Sequence, residues 1–388
     1  MFVSRSPSAS SNRRGSLLPA TVLAILVSGG CLALVLNEYW LTSAQEELRT
    51  ATQSVALAAA QTLANDDLLK LDVEEHQIAD QAREVAARQS MRNFVAGPTL
   101  PQMDVRIGRV TLDPLTGRQE SLETDLDANS VLVVGHRDRS RNNPVMMLAP
   151  LLAGRSVADV TVTAEASISN LIRGVRAFDK ATVPAWPLAI LEVSSDSKVQ
   201  TWTKEIEQHQ GIDHFSWNAD TQQVESHPDG LPEIMLLPAG KQGNNNLYLV
   251  DIGNGLQDEQ LKRQLRDGWA AEDLAEFGEV FSLQSGPLDL PASQDFAGVP
   301  YDTLRTQIGQ VRIVLLYSTT SGARGTLGVH ATRMVAARLM DVSRGSEGPQ
   351  LIMQAAVVAT RTAILDEDAL YRGETDGNPY LYKLSITQ

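Results

Sequence analysis

From Leu17 to Leu36 the chain reads LLPATVLAILVSGGCLALVL, 20 positions without a charge. At 1.5 Å per residue a helix of that length spans the roughly 30 Å hydrocarbon layer of a bilayer. Pro19 falls in the first turn, where a missing N–H costs little. Beyond Asn37 the pattern becomes amphipathic without a break. Leu41, Ala44, Leu48, Ala51, Val55 and Ala58 recur at spacings of three and four, a narrow apolar seam with polar residues outside it. The seam predicts a helical stalk over 38–95 that packs on the protein's own body or on a partner helix. Asn65-Asp66-Asp67 interrupts it. A second helix is expected from Asp72, with Glu75 as its capping-box partner, through Ile78, Ala82 and Val85 to Asn93. Gly97-Pro98 then ends it.

After residue 103 the period drops to two. Val105 and Ile107, then Val110 and Leu112, alternate ahead of the turn Asp113-Pro114-Leu115-Thr116-Gly117. Ser130–Val134 is another strand pattern. Val160, Val162, Ala164, Ala166 and Ile168 give the cleanest alternation in the chain. Residues 96–200 therefore read as a strand-rich domain. The segment 201–246 is polar and loop-rich. In the remainder, Leu247–Ile252 reads as a strand, Asp258–Phe277 as a helix and Val311–Tyr317 as a buried strand. Two more strands are expected near 326–342 and 351–360, before an acidic, turn-rich end at 366–378. The expected class is α+β: a tail (1–16), an apolar anchor helix (17–37), a helical stalk (38–95), a strand-rich domain (96–200) and a mixed α/β part (201–388).

Charge sets the expected orientation. Arg5, Arg13 and Arg14 are the only charged residues before Asn37, so the rest carries 30 basic against 47 acidic residues, a net of −17. Arg13 and Arg14 ahead of the run, with Tyr39 and Trp40 as interfacial aromatics behind it, keep the tail cytoplasmic by the positive-inside rule. Membrane lipid is thus a partner, and the bulk is extracytoplasmic. A cleaved signal peptide is the competing reading, but the run is longer than a usual h-region and Leu32-Ala33-Leu34 is a poor cleavage site. A lipoprotein signal at Cys31 lacks the usual aliphatic residue three positions earlier. An acidic body excludes nucleic acid as a partner. Cys31 is the one cysteine, so no intrachain disulfide contributes to stability.

Motifs for chemistry are sparse. His209 and His214, with Asp213, are five apart and lack a third metal ligand. No Gly-x-Ser-x-Gly elbow, P-loop or His-Glu-x-x-His occurs. Gly253-Asn254-Gly255 lacks the third glycine of a dinucleotide fingerprint and reads as a turn. Asp366-Glu367-Asp368 lacks the glycine of an EF-hand loop and reads as a solvated acidic loop. No catalytic residue, metal or cofactor is expected.

Several stretches, in order, resemble the TadE/TadG-like family of Flp (tight-adherence) pilus assembly. These are Arg13-Arg14-Gly15-Ser16-Leu17-Leu18-Pro19, the apolar run, and Asn37-Glu38-Tyr39-Trp40. The alanine-rich Ser54–Ala60 follows, then Gly108-Arg109-Val110, Asp113–Gly117, Pro150-Leu151-Leu152 and Val160–Ala166. Asp251–Asn254 and Ile308–Ile313 extend the likeness into a long C-terminal part. Pseudopilins of that system are cut after a glycine and carry a glutamate five residues beyond. Here Gly15 is followed by Ser16-Leu17-Leu18-Pro19-Ala20, with no acid. The resemblance therefore implies the TadG-like branch, with a permanent anchor. It also implies a non-catalytic, single-pass inner-membrane component of a pilus or secretion apparatus, with other assembly proteins, or a second copy through the stalk, as partners. The alternative is a membrane-tethered ligand-binding or sensor protein using the 201–246 region. A tethered hydrolase is weaker, since no nucleophile–base pair is visible.

Overall fold

The computed structural model describes residues 17–97, 103–112, 116, 119–238, 245–253, 255–296, 298–323, 326–345, 348–372, 374 and 377–387. One helix, α1 (Leu17–Leu63), carries the apolar run and the seam without a break. It is long and apolar enough to cross a membrane, and none of its most apolar stretch is buried against the protein. A short 3₁₀ turn (Asp66–Leu69) leads to α2 (Glu75–Arg92). The capping box expected at Asp72 is not formed, and α2 starts three residues later. Glu75 instead accepts a hydrogen bond from the Asp127 N–H at 2.5 Å, holding a loop rather than its own helix end.

The first half continues with β1 (Asp104–Leu112), β2 (Gln119–Glu123), β3 (Ser130–Arg137), β4 (Val145–Met146), α3 (Pro150–Ala153), β5 (Val157–Ala158), β6 (Val160–Ser169), β7 (Ile172–Val175) and β8 (Ala185–Leu191). The second half holds β9 (Ser216–Asn218), β10 (Gln223–Glu225), β11 (Glu233–Leu236), β12 (Leu247–Val250) and α4 (Asp258–Asp267). It goes on through β13 (Leu288–Ser293), α5 (Tyr301–Arg305), β14 (Val311–Ala323), β15 (Thr326–Gly345) and β16 (Gly348–Ala355), and ends with β17 (Val358–Ala359), β18 (Ala363–Leu365), α6 (Glu367–Tyr371) and β19 (Leu381–Ile386). Most of the turn expected at 113–117 lies outside the described residues, but β1 and β2 pair as the antiparallel hairpin it implies, with Leu112 opposite Gln119.

Two bodies result. In the first, α1 and α2 cover a sheet of order β17-β19-β6-β3-β1-β2. The alternation in β3 and β6 turns Val131, Val133, Ala164 and Ala166 toward the helices, where they are buried. In the second, β14 pairs with β8 on one side and β15 on the other, and β8, β12, β13 and β15 follow in turn. The five strands thus close on themselves, and β16 and β11 extend the sheet from β15. Trp186, Trp269, Phe281 and Leu315 lie fully buried in this core.

The boundary expected at residue 200 is crossed in both directions. Residues 185–191 belong to the second body, while the C-terminal β19 pairs with β6 in the first. Alternation identifies a strand but not its neighbour, and these neighbours are distant in sequence. The loop-rich segment 201–246 likewise sends Trp202, Ile206, Ile234 and Leu236 into the second core. The helix expected over 258–277 stops at Asp267. Gly268 takes φ 87°, and any Cβ there would collide with the Val183 carbonyl.

Candidate functional site

The feature that sets this chain apart is the passage from the apolar run to the body. Ahead of it, Arg13 and Arg14 lie outside the described residues. Leu17 opens α1; Pro19 and Leu36 are exposed, as Tyr39 is. Cys31 is exposed along the same run. From Asn37 onward one face of the helix is covered. The seam residues Ala44, Leu48, Ala51 and Val55 are all buried, and Leu41 is half-buried. Their cover is the chain's own α2, β3 and β6. Of the two contacts left open by the sequence, packing on the protein's own body is the one present. Ala58 is half-buried, and Ala59 takes its place on the covered face.

Small residues make this packing close. Gly135 of β3 lies under the helix, where an added Cβ would run into Thr52 Oγ1 and come within 3.1 Å of Leu48 Cδ1. The Thr52 hydroxyl is buried and donates to its own helix at the Leu48 carbonyl, 2.7 Å away, so its polar group is satisfied.

At the first covered turn the contacts become polar and reciprocal. Asn37, 1% exposed, accepts the Ala149 N–H at 2.9 Å and donates to the Ala149 carbonyl at 3.2 Å. One turn on, Trp40 Nε1–H donates to the Met146 carbonyl at 2.9 Å. The loop between β3 and β6 is thereby fastened to the helix where the apolar run ends. Arg137 fixes the base of that loop from below. Its guanidinium is buried and donates to the carbonyls of Val95, Asn143 (2.5 Å) and Pro144 (3.4 Å). Burial lowers the Arg137 pKa, and the Glu47 carboxylate partly offsets this. Glu47 also accepts the Ala96 N–H at 2.8 Å. Sequence reasoning treated Asn37 only as a flank. Its signal was its place in the seam's own spacing, four residues before Leu41.

A second joint lies at the other end of α1. Asp66 accepts the Val357 N–H at 2.6 Å and pairs with Arg338 at 2.5 Å. Arg338 also donates to the Gly309 carbonyl at 2.8 Å and stacks over Trp217, its guanidinium carbon 4.6 Å from the ring centroid. The interruption Asn65-Asp66-Asp67 therefore supplies a contact between helix and barrel, next to Leu69, which packs on the barrel core.

The positions singled out for chemistry have the following surroundings. His214 and His227 sit 3.0 Å from the hydroxyls of Ser226 and Ser216 respectively. His209 stands in a left-handed turn. Among the described residues, no group of three or more His, Cys, Asp or Glu side chains is placed to hold a metal ion. Gly253 and Gly255 have φ of 75° and 81°, and Asp251 accepts the Gly255 N–H, which makes a turn. Asn254 lies outside the described residues. Asp366 accepts the Ala369 N–H at 3.1 Å and so caps α6.

One acidic cluster showed in the sequence only through Asp213. Glu233 accepts the N–H groups of His214 and Phe215, both at 2.8 Å. Asp213 accepts those of Asp229 and Gly230. Burial pushes Glu233 up to about 7 against these stabilising bonds, and the Asp213 and Asp229 carboxylates add to the rise. Burial also raises Asp229. Each carboxylate is engaged with backbone, so the cluster ties loops together. In comparisons with known proteins, the chain matches no family model, no curated protein and no solved structure.

Proposed function

We propose that this chain is a non-catalytic, single-pass membrane scaffold that holds its acidic body at a fixed height and orientation beside the bilayer, as a component of a Flp-type pilus or secretion apparatus. The N-terminus is cytoplasmic, the bulk is periplasmic, and the membrane is a bacterial inner membrane. The observation that carries the scaffold reading is the unbroken α1, which runs from an apolar span into the covered seam of the first body. A tether meant only to retain a mobile domain would place a flexible linker at Asn37–Leu41. Here the same turns are hydrogen-bonded to the body on their covered face. The apparatus is supported by the ordered resemblance to TadG-like proteins. With the seam occupied internally, assembly partners dock on the outer faces of the body. Deleting the gene should abolish piliation and surface adhesion, and a plasmid copy should restore both. Normal piliation in the deletion strain overturns the assignment.

A further inference from the structure

The loop fastened by Asn37 and Trp40 is a hairpin whose tip points along α1 toward the apolar run. Trp40 holds Met146 and, three helix residues nearer that run, Asn37 holds Ala149. The loop therefore advances toward the run as α1 recedes into it, by roughly 4.5 Å between the two contacts at helical rise. α3 begins at the next residue, Pro150. Gly154, with φ 67°, turns the chain back, and Met146 pairs with Val157 on the return. The tip is thus level with the outermost turns of the apolar span.

Its chemistry is that of a lipid surface. Leu151 is 97% exposed, and Met146, Leu148 and Leu152 are each more than half exposed. Such clustering on a water-soluble face is uncommon and marks a contact. From Val145 to Ala158 the chain has no acidic residue and one base, the exposed Arg155, within a body of net charge −17. Tyr39, 75% exposed, stands on α1 at the same level, as interfacial aromatics do.

We propose that the α3 tip inserts its leucines into the bilayer surface from which α1 emerges, with Arg155 at the phosphates, giving the body a second membrane attachment. This rests on α1 spanning the bilayer. Lipid, rather than a protein, is the occupant because the tip continues the apolar span and lies beside it, where any neighbour is lipid first.

The test uses the full chain carrying Cys31→Ser, reconstituted in phosphatidylcholine–phosphatidylglycerol vesicles. Single cysteines replace Leu151, Val27 in the span and Asp220 on the exposed β9–β10 turn, each labelled with an environment-sensitive fluorophore. The Leu151 label should emit to the blue of the Asp220 label, be quenched by nitroxide on shallow acyl carbons, and resist aqueous iodide. Iodide quenching equal to that at Asp220 overturns the proposal. So does protection from iodide without nitroxide quenching, which would mean that protein covers the tip. If the Val27 label escapes quenching by nitroxide placed near the acyl-chain ends, the spanning helix itself is wrong and both readings fall. If Val27 is quenched and Leu151 is not, only the tip insertion fails.

Discussion

Removing the carboxylate of Asp66 should uncouple the helical unit from the barrel. The side chains of Arg338 and Asp66 are 10% and 19% exposed, so the pair is largely but not fully shielded from water. Breaking a buried pair by deleting one partner costs about 3–5 kcal/mol, against about 0–1 kcal/mol for a surface pair. Arg338 Nε is already buried without a partner, and without Asp66 the guanidinium keeps only the Gly309 carbonyl and the Trp217 ring. Asp66→Ala also orphans the Val357 N–H, which alone is worth about 1 kcal/mol. Partial solvent access offsets some of this, and the expected loss is about 3 kcal/mol. Asp66→Asn keeps an acceptor for Val357 and should lose about half as much. The measurement is urea-dependent pulse proteolysis of the full chain in detergent micelles, run as a cycle with Arg338→Met. The double variant should be more stable than the sum of the singles implies, by about 1–3 kcal/mol. A loss below about 1 kcal/mol in Asp66→Ala, or additive singles, would refute the idea that this joint couples the two bodies.

Three further outcomes follow from the same geometry. Leu48→Ala should destabilise the first body by about 2–5 kcal/mol, because a fully buried side chain seated over Gly135 leaves a cavity; an unchanged urea midpoint would mean the seam is not the core it is taken for. Asn37→Leu should release the hairpin locally, since the Ala149 N–H loses its acceptor and its carbonyl keeps only the Leu152 and Ala153 N–H groups of its own turn. Hydrogen exchange should rise around residues 146–152 with little change in β3 or β6. Glu233 has a folded pKa of about 7, above its ordinary 4.5. Its stabilising contribution is therefore full below about 4.5 and is lost as pH rises to about 7, with a slope near 1.4 kcal/mol per pH unit between. Glu233→Gln should flatten that part of the stability profile, and an unchanged slope would remove Glu233 as its source.

What the sequence made legible was local. A run without charge and a seam of period 3.6 give α1 its length and covered face, because both depend only on neighbours along one helix. Alternation likewise identifies β1, β3 and β6. What was hidden depends on contacts between distant residues. Nothing in Leu41–Val55 distinguishes the chain's own sheet from a partner helix, since both offer the same apolar surface. The polar composition of 201–246 concealed Trp202 and Ile234 because core contacts there come from isolated residues between loops. Glu233 and Asp66 looked like ordinary surface acids, and only the fold brings buried backbone N–H groups to them.

These contacts together decide what kind of attachment α1 can be. Of its 47 residues, the first 20 match a bilayer, and the rest runs roughly 40 Å along the first body. Tilting the body about Asn37 would break the Ala149 and Met146 bonds and lift Ala44 and Leu48 from the sheet. Tilting the barrel against that unit would break the Asp66–Arg338 pair, and it would also strip β19 from its dual position, paired with β6 while Leu381 lies in the second core. The stiffest route from the apolar span to the far barrel is therefore the helix itself, then its seam, then β19. A chain built this way converts the height and rotation of one helix into the placement of an entire acidic surface. That suits presenting a fixed docking face to other subunits better than it suits a domain that must open and close around a ligand.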